Sequence, residues 1–130
     1  MTLHELSQLY YLDKEIELDR ERLAQLRSDL SSPRSPKHDG MPKSPNHENM
    51  LERCAVEIAD LEAVIHAKIE KRMQERVKLE LYIAEIPDSY TRQIFTLRFI
   101  KKLKWEEVAD ITGGSSYSVK HVCYRYISNG

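Results

Sequence analysis

Residues 104–126 read "KWEEVADITGGSSYSVKHVCYRY", and this stretch decides the fold. Trp105, Val108 and Ile111 recur at helical spacing, as do Val119, Val122, Cys123 and Tyr126 further on. Between the two patterns stand Gly113 and Gly114, whose backbones reach conformations that a tight turn demands. Ser115 or Ser116 is then placed to cap a new helix. Two short helices joined by a glycine turn form a helix-turn-helix pattern, in which the second helix presents its N-terminal outward residues to DNA base edges.

Upstream, "PDSYTRQIFTLRFIKKL" supplies a third helix, with Asp88 or Ser89 as its N-cap after Pro87. Tyr90, Ile94 and Leu97 are expected on its inward face, and Val108, Ile111, Val119 and Tyr126 in the core. Trp105 is expected between helices rather than on a base. The outward residues of the last helix are Ser116, Tyr117, Lys120, His121 and Tyr124, with Arg125 a turn further on. Specificity is assigned to Ser116, Tyr117, Lys120 and His121, because lysine pairs guanine edges and hydroxyls donate to either base type. Phosphate contacts are assigned to Arg125 and to the basic cluster Lys101, Lys102 and Lys104, with Arg98 alongside. Glu106, Glu107 and Asp110 suit the start of the supporting helix but would repel phosphate, so they should face away from DNA.

The charge pattern points the same way. Residues 87–130 carry +3, whereas residues 1–30 carry −3 and residues 51–86 carry −2, within a net charge of −1.

The N-terminal part is of another kind. Leu9, Leu12, Ile16, Leu23, Leu26 and Leu30 follow heptad spacing over residues 3–30, a helix roughly 40 Å long with a narrow apolar stripe. Such a helix needs a partner. Leu51, Cys54, Ile58, Leu61, Ile65, Ile69, Leu79, Ile83 and Ile86 mark a second helix over about 48–85. "SSPRSPKHDGMPKSPNHE", residues 31–48, is rich in proline and reads as a linker between the two. Its Ser-Pro pairs are read as part of a stiff loop rather than as modification sites. The fold class expected is all-α: a long N-terminal antiparallel helical hairpin, coiled-coil-like, over residues 1–86, then a three-helix helix-turn-helix domain over 87–130. The hairpin is narrow, so a homodimer through it is expected; Tyr10 and Tyr11 are assigned to hairpin packing.

Other classes are excluded by what the chain lacks. No run of about 18 apolar residues exists, and the N-terminal stretch is too acidic for a signal peptide, so a cytoplasmic protein without a membrane span is expected. Cys54 and Cys123 lie far apart and are expected to be free thiols. His4, His38, His47, His66 and His121 show no metal-ligand spacing. With no nucleophile–base pair and no phosphate loop, neither enzymatic activity nor a cofactor is expected.

The stretch "YTRQIFTLRFIKKLKWEEVADITGGSSYSVKHVCYRYI" resembles the C-terminal helix-turn-helix of sigma factors, their region 4. That pattern reads R-x-hydrophobic-x-x-L-R-[FY], then E-E-[IV]-A, then G-x-S, then [ST]-V-[KR]. It is matched by Arg92, Leu97, Arg98 and Phe99; by Glu106, Glu107, Val108 and Ala109; by Gly113 and Ser115; and by Ser118, Val119, Lys120 and Arg125. The match covers about 40 residues. Lys104 departs from the usual Thr or Ser cap, and Gly114 from an apolar turn residue. Including the proline-rich stretch with "DGMPKS" and the long helices, the whole resembles small phage-encoded sigma-like regulators of the ArpU kind. The resemblance implies a DNA-binding regulator of phage or prophage genes in a bacterial host cell, with double-stranded DNA as partner and RNA polymerase as a second one. Nothing like a sigma region 2 is present, so the chain would not melt a promoter by itself. Two other functions fit the same architecture: a small terminase subunit in DNA packaging, and a protein-interaction module that docks on polymerase without DNA.

Overall fold

A computed structural model describes residues 1–31 and 45–129, with side chains at 45–48 omitted, and every described element is helical. The elements are α1 (Leu3–Leu6), α2 (Gln8–Ser31), α3 (Pro45–Ala84), α4 (Ser89–Phe95) running into a π-turn (Thr96–Ile100), α5 (Trp105–Thr112) and α6 (Ser116–Asn129). No described helix is long and apolar enough to cross a membrane.

The linker expected over 31–48 is shorter than the composition suggests. Ser31 ends α2 and Pro45 opens α3, where a proline costs nothing because the first-turn N–H has no helical acceptor. The remaining residues of that stretch, 32–44, lie outside those described. The single N-terminal helix expected from residue 3 is also interrupted. Thr2 and Glu5 form a reciprocal cap on α1, and the Ser7 hydroxyl donates to the Leu3 carbonyl at 2.8 Å just before α2 begins. The Thr2 amide on its carboxylate holds Glu5 below the usual range.

Packing divides the chain inside its two long helices. One compact unit comprises Met1–Lys14 with Glu70–Gly130, the other Glu15–Ile69. The boundary expected at residue 86 therefore falls within the first unit. Leu79, Ile83 and Ile86 bury beside Ile94, Phe95, Phe99, Val108, Ala109, Val119 and Cys123, and Leu6 and Leu9 complete the same core. Each valine, leucine, isoleucine and phenylalanine among them contributes about 1.5–3 kcal/mol by leaving water. Phe95 is the hub: its ring meets Phe99 at 5.4 Å and Tyr126 at 5.5 Å between centroids. Asp13 bridges three elements of this unit by accepting from Arg72 of α3 and from Lys102 of the loop before α5.

In the second unit Ile16 and Leu23 of α2 pack against Ile65 of α3, flanked by Ile58, Leu61 and Ile69. The helices run in opposite directions here, since Asp19 meets Lys68 at 2.5 Å while Arg27, further along α2, meets Glu62, earlier in α3, at 2.7 Å. Bonding to Asp19 raises the Lys68 ammonium pKa, but these pairs reach water and add little stability.

The short helices of the first unit are fixed by local chemistry. Asp88 caps α4, accepting from the Thr91 amide at 3.0 Å and the Thr91 hydroxyl at 2.7 Å, which holds its carboxyl below the usual range. Arg92 donates to the Ile86 and Pro87 carbonyls at 2.6 and 3.0 Å and so ties α4 to the turn that follows α3. In the π-turn Lys101 N–H reaches back five residues to Thr96, at 3.0 Å.

Three packing expectations are corrected. Ile111 is 62% exposed rather than core, Tyr90 is exposed, and so are Tyr10 and Tyr11. In each case the helix is as expected but its rotation about its own axis is set by neighbours: α5 turns Val108 and Ala109 inward instead.

Candidate nucleic-acid interface

The turn between α5 and α6 is built in two halves. Gly113 ends α5 in the left-handed region at φ 85°, and both its amide and that of Gly114 donate to the Ala109 carbonyl, at 2.8 and 3.1 Å. Gly114 has an ordinary φ and is needed for room instead. A Cβ there would lie 2.8 Å from the Ser118 hydroxyl and 3.1 Å from that of Tyr90. Ser115 then caps α6: its hydroxyl accepts from the Ser118 amide at 3.1 Å, while the Ser118 hydroxyl accepts from the Ser115 amide at 2.9 Å.

From that cap α6 runs for 14 residues, about 21 Å. Val119 and Cys123 are fully buried on one side, with Val122, Tyr126 and Ile127 packed beside them. Burial pushes the Cys123 thiol up to about 12. The opposite side carries Tyr117, Lys120, His121 and Tyr124, all exposed, at the i, i+3, i+4, i+7 spacing of one helical stripe. Tyr117 is 78% exposed, and its ring lies parallel to that of His121, 9° apart in plane and 6.0 Å between centroids. Ser116 and Arg125 are exposed at the margins of the stripe. The helix contains no acidic residue, and Lys120 and Arg125 make no ion pair among the described residues. The structure thus gathers all six α6 residues picked out from the sequence onto one solvent-facing side.

The four-residue loop before α5 is less uniform. Lys101 and Lys104 are exposed and without ion pairs among the described residues. Lys104 is the N-cap of α5, its amide held by the Glu107 carboxylate at 3.2 Å. Lys102 adopts φ 59° and its ammonium is already paired with Asp13, so it is not an uncommitted cation. Arg98 is committed too: it donates to the Leu103 carbonyl at 2.9 Å and lies 4.6 Å over the Trp105 ring. Trp105 meets Tyr124 edge-on at 6.2 Å, so Arg98, Trp105 and Tyr124 form a continuous run of contacts from the π-turn to the α6 stripe. Sequence periodicity gives no sign of this run, because Arg98 sits in the π-turn and Trp105 beyond an irregular loop.

Glu106, Glu107 and Asp110 are exposed on α5. Among the described residues no group of three or more His, Cys, Asp or Glu side chains is arranged to hold a metal. No protein-family model, curated protein or solved structure matches the chain.

Proposed function

We propose that the chain is a sequence-specific DNA-binding regulator of transcription, in which α5 and α6 form a helix-turn-helix and α6 enters the major groove. The observation that carries this reading is the exposed, acid-free stripe of α6, opposite a fully buried Val119–Cys123 side and rigidly capped by Ser115. A helix of about 10–12 Å diameter fits the roughly 12 Å major groove. Lys120 supplies a donor for guanine edges, Ser116 and Tyr117 supply hydroxyls, and Arg125, Lys101 and Lys104, without ion pairs among the described residues, supply charge for phosphates. The likeness to sigma region 4 adds that the chain regulates phage or prophage genes and touches RNA polymerase, with the acids of α5 directed to that protein partner. The long paired stretches of α2 and α3 would then act as a hairpin that supports self-association.

The test is to select bound fragments from a library of phage and bacterial genomic DNA and to repeat binding with Lys120→Glu. Enrichment of defined fragments, with binding lost in the variant, is the expected result. No enrichment over random DNA would defeat sequence-specific recognition, and a ring of many subunits in light scattering would favour DNA packaging instead.

A further inference from the structure

The first unit contains a cleft of about 330 Å³ from which the function proposed above uses Lys104 alone. It is lined by Tyr10 and Tyr11 of α2, by Arg98, Lys102 and Lys104, and by Leu6, Ser7 and Phe99. No acidic side chain among the described residues lines it, although Lys102 of the lining is paired with Asp13. Tyr10 and Tyr11 are 44% and 54% exposed, and neither hydroxyl has a hydrogen-bond partner among the described residues. Their rings hold each other edge-on at 5.5 Å, and the Lys14 ammonium lies 5.7 Å from the Tyr10 ring. Three cationic side chains and two free phenol donors thus line one void, with Lys104 the cation not already paired, and the chemistry that fits is an anion.

Position identifies which anion. Arg98 lines the cleft, stacks on Trp105, and Trp105 touches Tyr124 in the α6 stripe, at 4.6 and 6.2 Å. Cleft and stripe are therefore linked by an unbroken run of side-chain contacts. With α6 in a major groove, the sugar–phosphate strands border that helix on either side. We infer that the cleft seats a backbone phosphodiester of the same duplex, bound by Lys104 and by the Tyr10 and Tyr11 hydroxyls. The N-terminal segment is then part of the DNA-contacting surface. This rests on the proposed placement of α6.

The experiment measures binding of a fluorescein-labelled mixed-sequence duplex by fluorescence anisotropy over a series of salt concentrations. It compares the full chain with Tyr10→Phe/Tyr11→Phe, Lys104→Gln and Lys120→Glu, each checked for an unchanged thermal melt. The double Phe variant keeps both rings and should bind about tenfold more weakly at fixed salt, from the loss of two hydroxyl donors. Lys104→Gln should also flatten the slope of log affinity against log salt by about 0.9, the signature of one lost phosphate contact. If Lys120→Glu weakens binding while both cleft variants match the wild type, the cleft assignment is overturned and the α6 reading stands. If the wild-type chain does not bind the duplex at all, both fall together.

Discussion

Replacing Gly113 with alanine isolates a single physical effect. The residue closes α5 at φ 85°, and a Cβ placed there meets nothing within 4 Å. Crowding therefore contributes nothing, and the cost is that of holding an L-residue in the left-handed region, about 1–2 kcal/mol. Alanine also restricts the unfolded chain, which offsets roughly 0.4–1 kcal/mol. A net loss of about 1 kcal/mol remains, which for a domain of this size lowers Tm by roughly 3–6 °C. Asparagine enters the left-handed region far more readily, so Gly113→Asn should lose less than half as much. Thermal unfolding followed by circular dichroism reads both. Gly114→Ala works by a different route, since its Cβ would press on the Ser118 hydroxyl at 2.8 Å and spoil the cap of α6. Its penalty should shrink when Ser118 is already alanine, whereas that of Gly113→Ala should not. If Gly113→Ala melts with the wild type, or if alanine and asparagine lose equally, the turn is not held by backbone conformation and the account above is mistaken.

Two further outcomes follow from the titratable groups. Cys123 is fully buried with its thiol pushed up to about 12, so in the native state it should resist a thiol reagent at neutral pH while the half-buried Cys54 reacts. Because the unfolded thiol ionises near its ordinary value, stability should also fall as pH rises above about 9, a decline absent in Cys123→Ala; rapid labelling of both thiols would contradict this burial. Asp88 has a lowered pKa from its bonds to Thr91, so its cap stabilises above the ordinary carboxylate range and is lost as pH falls through the lowered value. Asp88→Asn should therefore lower Tm at neutral pH and converge with the wild type as acid protonates the carboxyl; a gap that does not narrow as pH falls through the carboxylate range and below would show that the carboxylate is not the cause.

Features written in local chemistry could be read directly from the chain. Asp88 and Ser115 each cap a helix through a residue three positions on, and Gly113 ends one, so the bounds of α4, α5 and α6 follow from short spacings. The outward stripe of α6 was legible because helical period alone separates Tyr117, Lys120, His121 and Tyr124 from Val119 and Cys123. What failed depended on distant neighbours. Ile111 has the right spacing for the core, yet Val108 and Ala109 occupy the inward side of α5. Tyr10 and Tyr11 are assigned by sequence to hairpin packing, but they line a cleft with Lys102 and Lys104 of the loop before α5 rather than a second apolar stripe. Lys102 looked like a spare cation because its partner, Asp13, lies 89 positions away.

The closing of one core by Leu6 and Leu9 also sets an order of events during synthesis. These leucines leave the ribosome roughly seventy residues before Leu79 and about a hundred before Val108. At about 5–20 residues per second they wait several seconds with their apolar faces in water. The turn and cap chemistry around α5 and α6 is local and should assemble in microseconds once that segment emerges. Completion of the core is therefore timed by translation itself, and the nascent segment carrying Leu6 and Leu9 presents apolar surface that a chaperone could cover in the meantime.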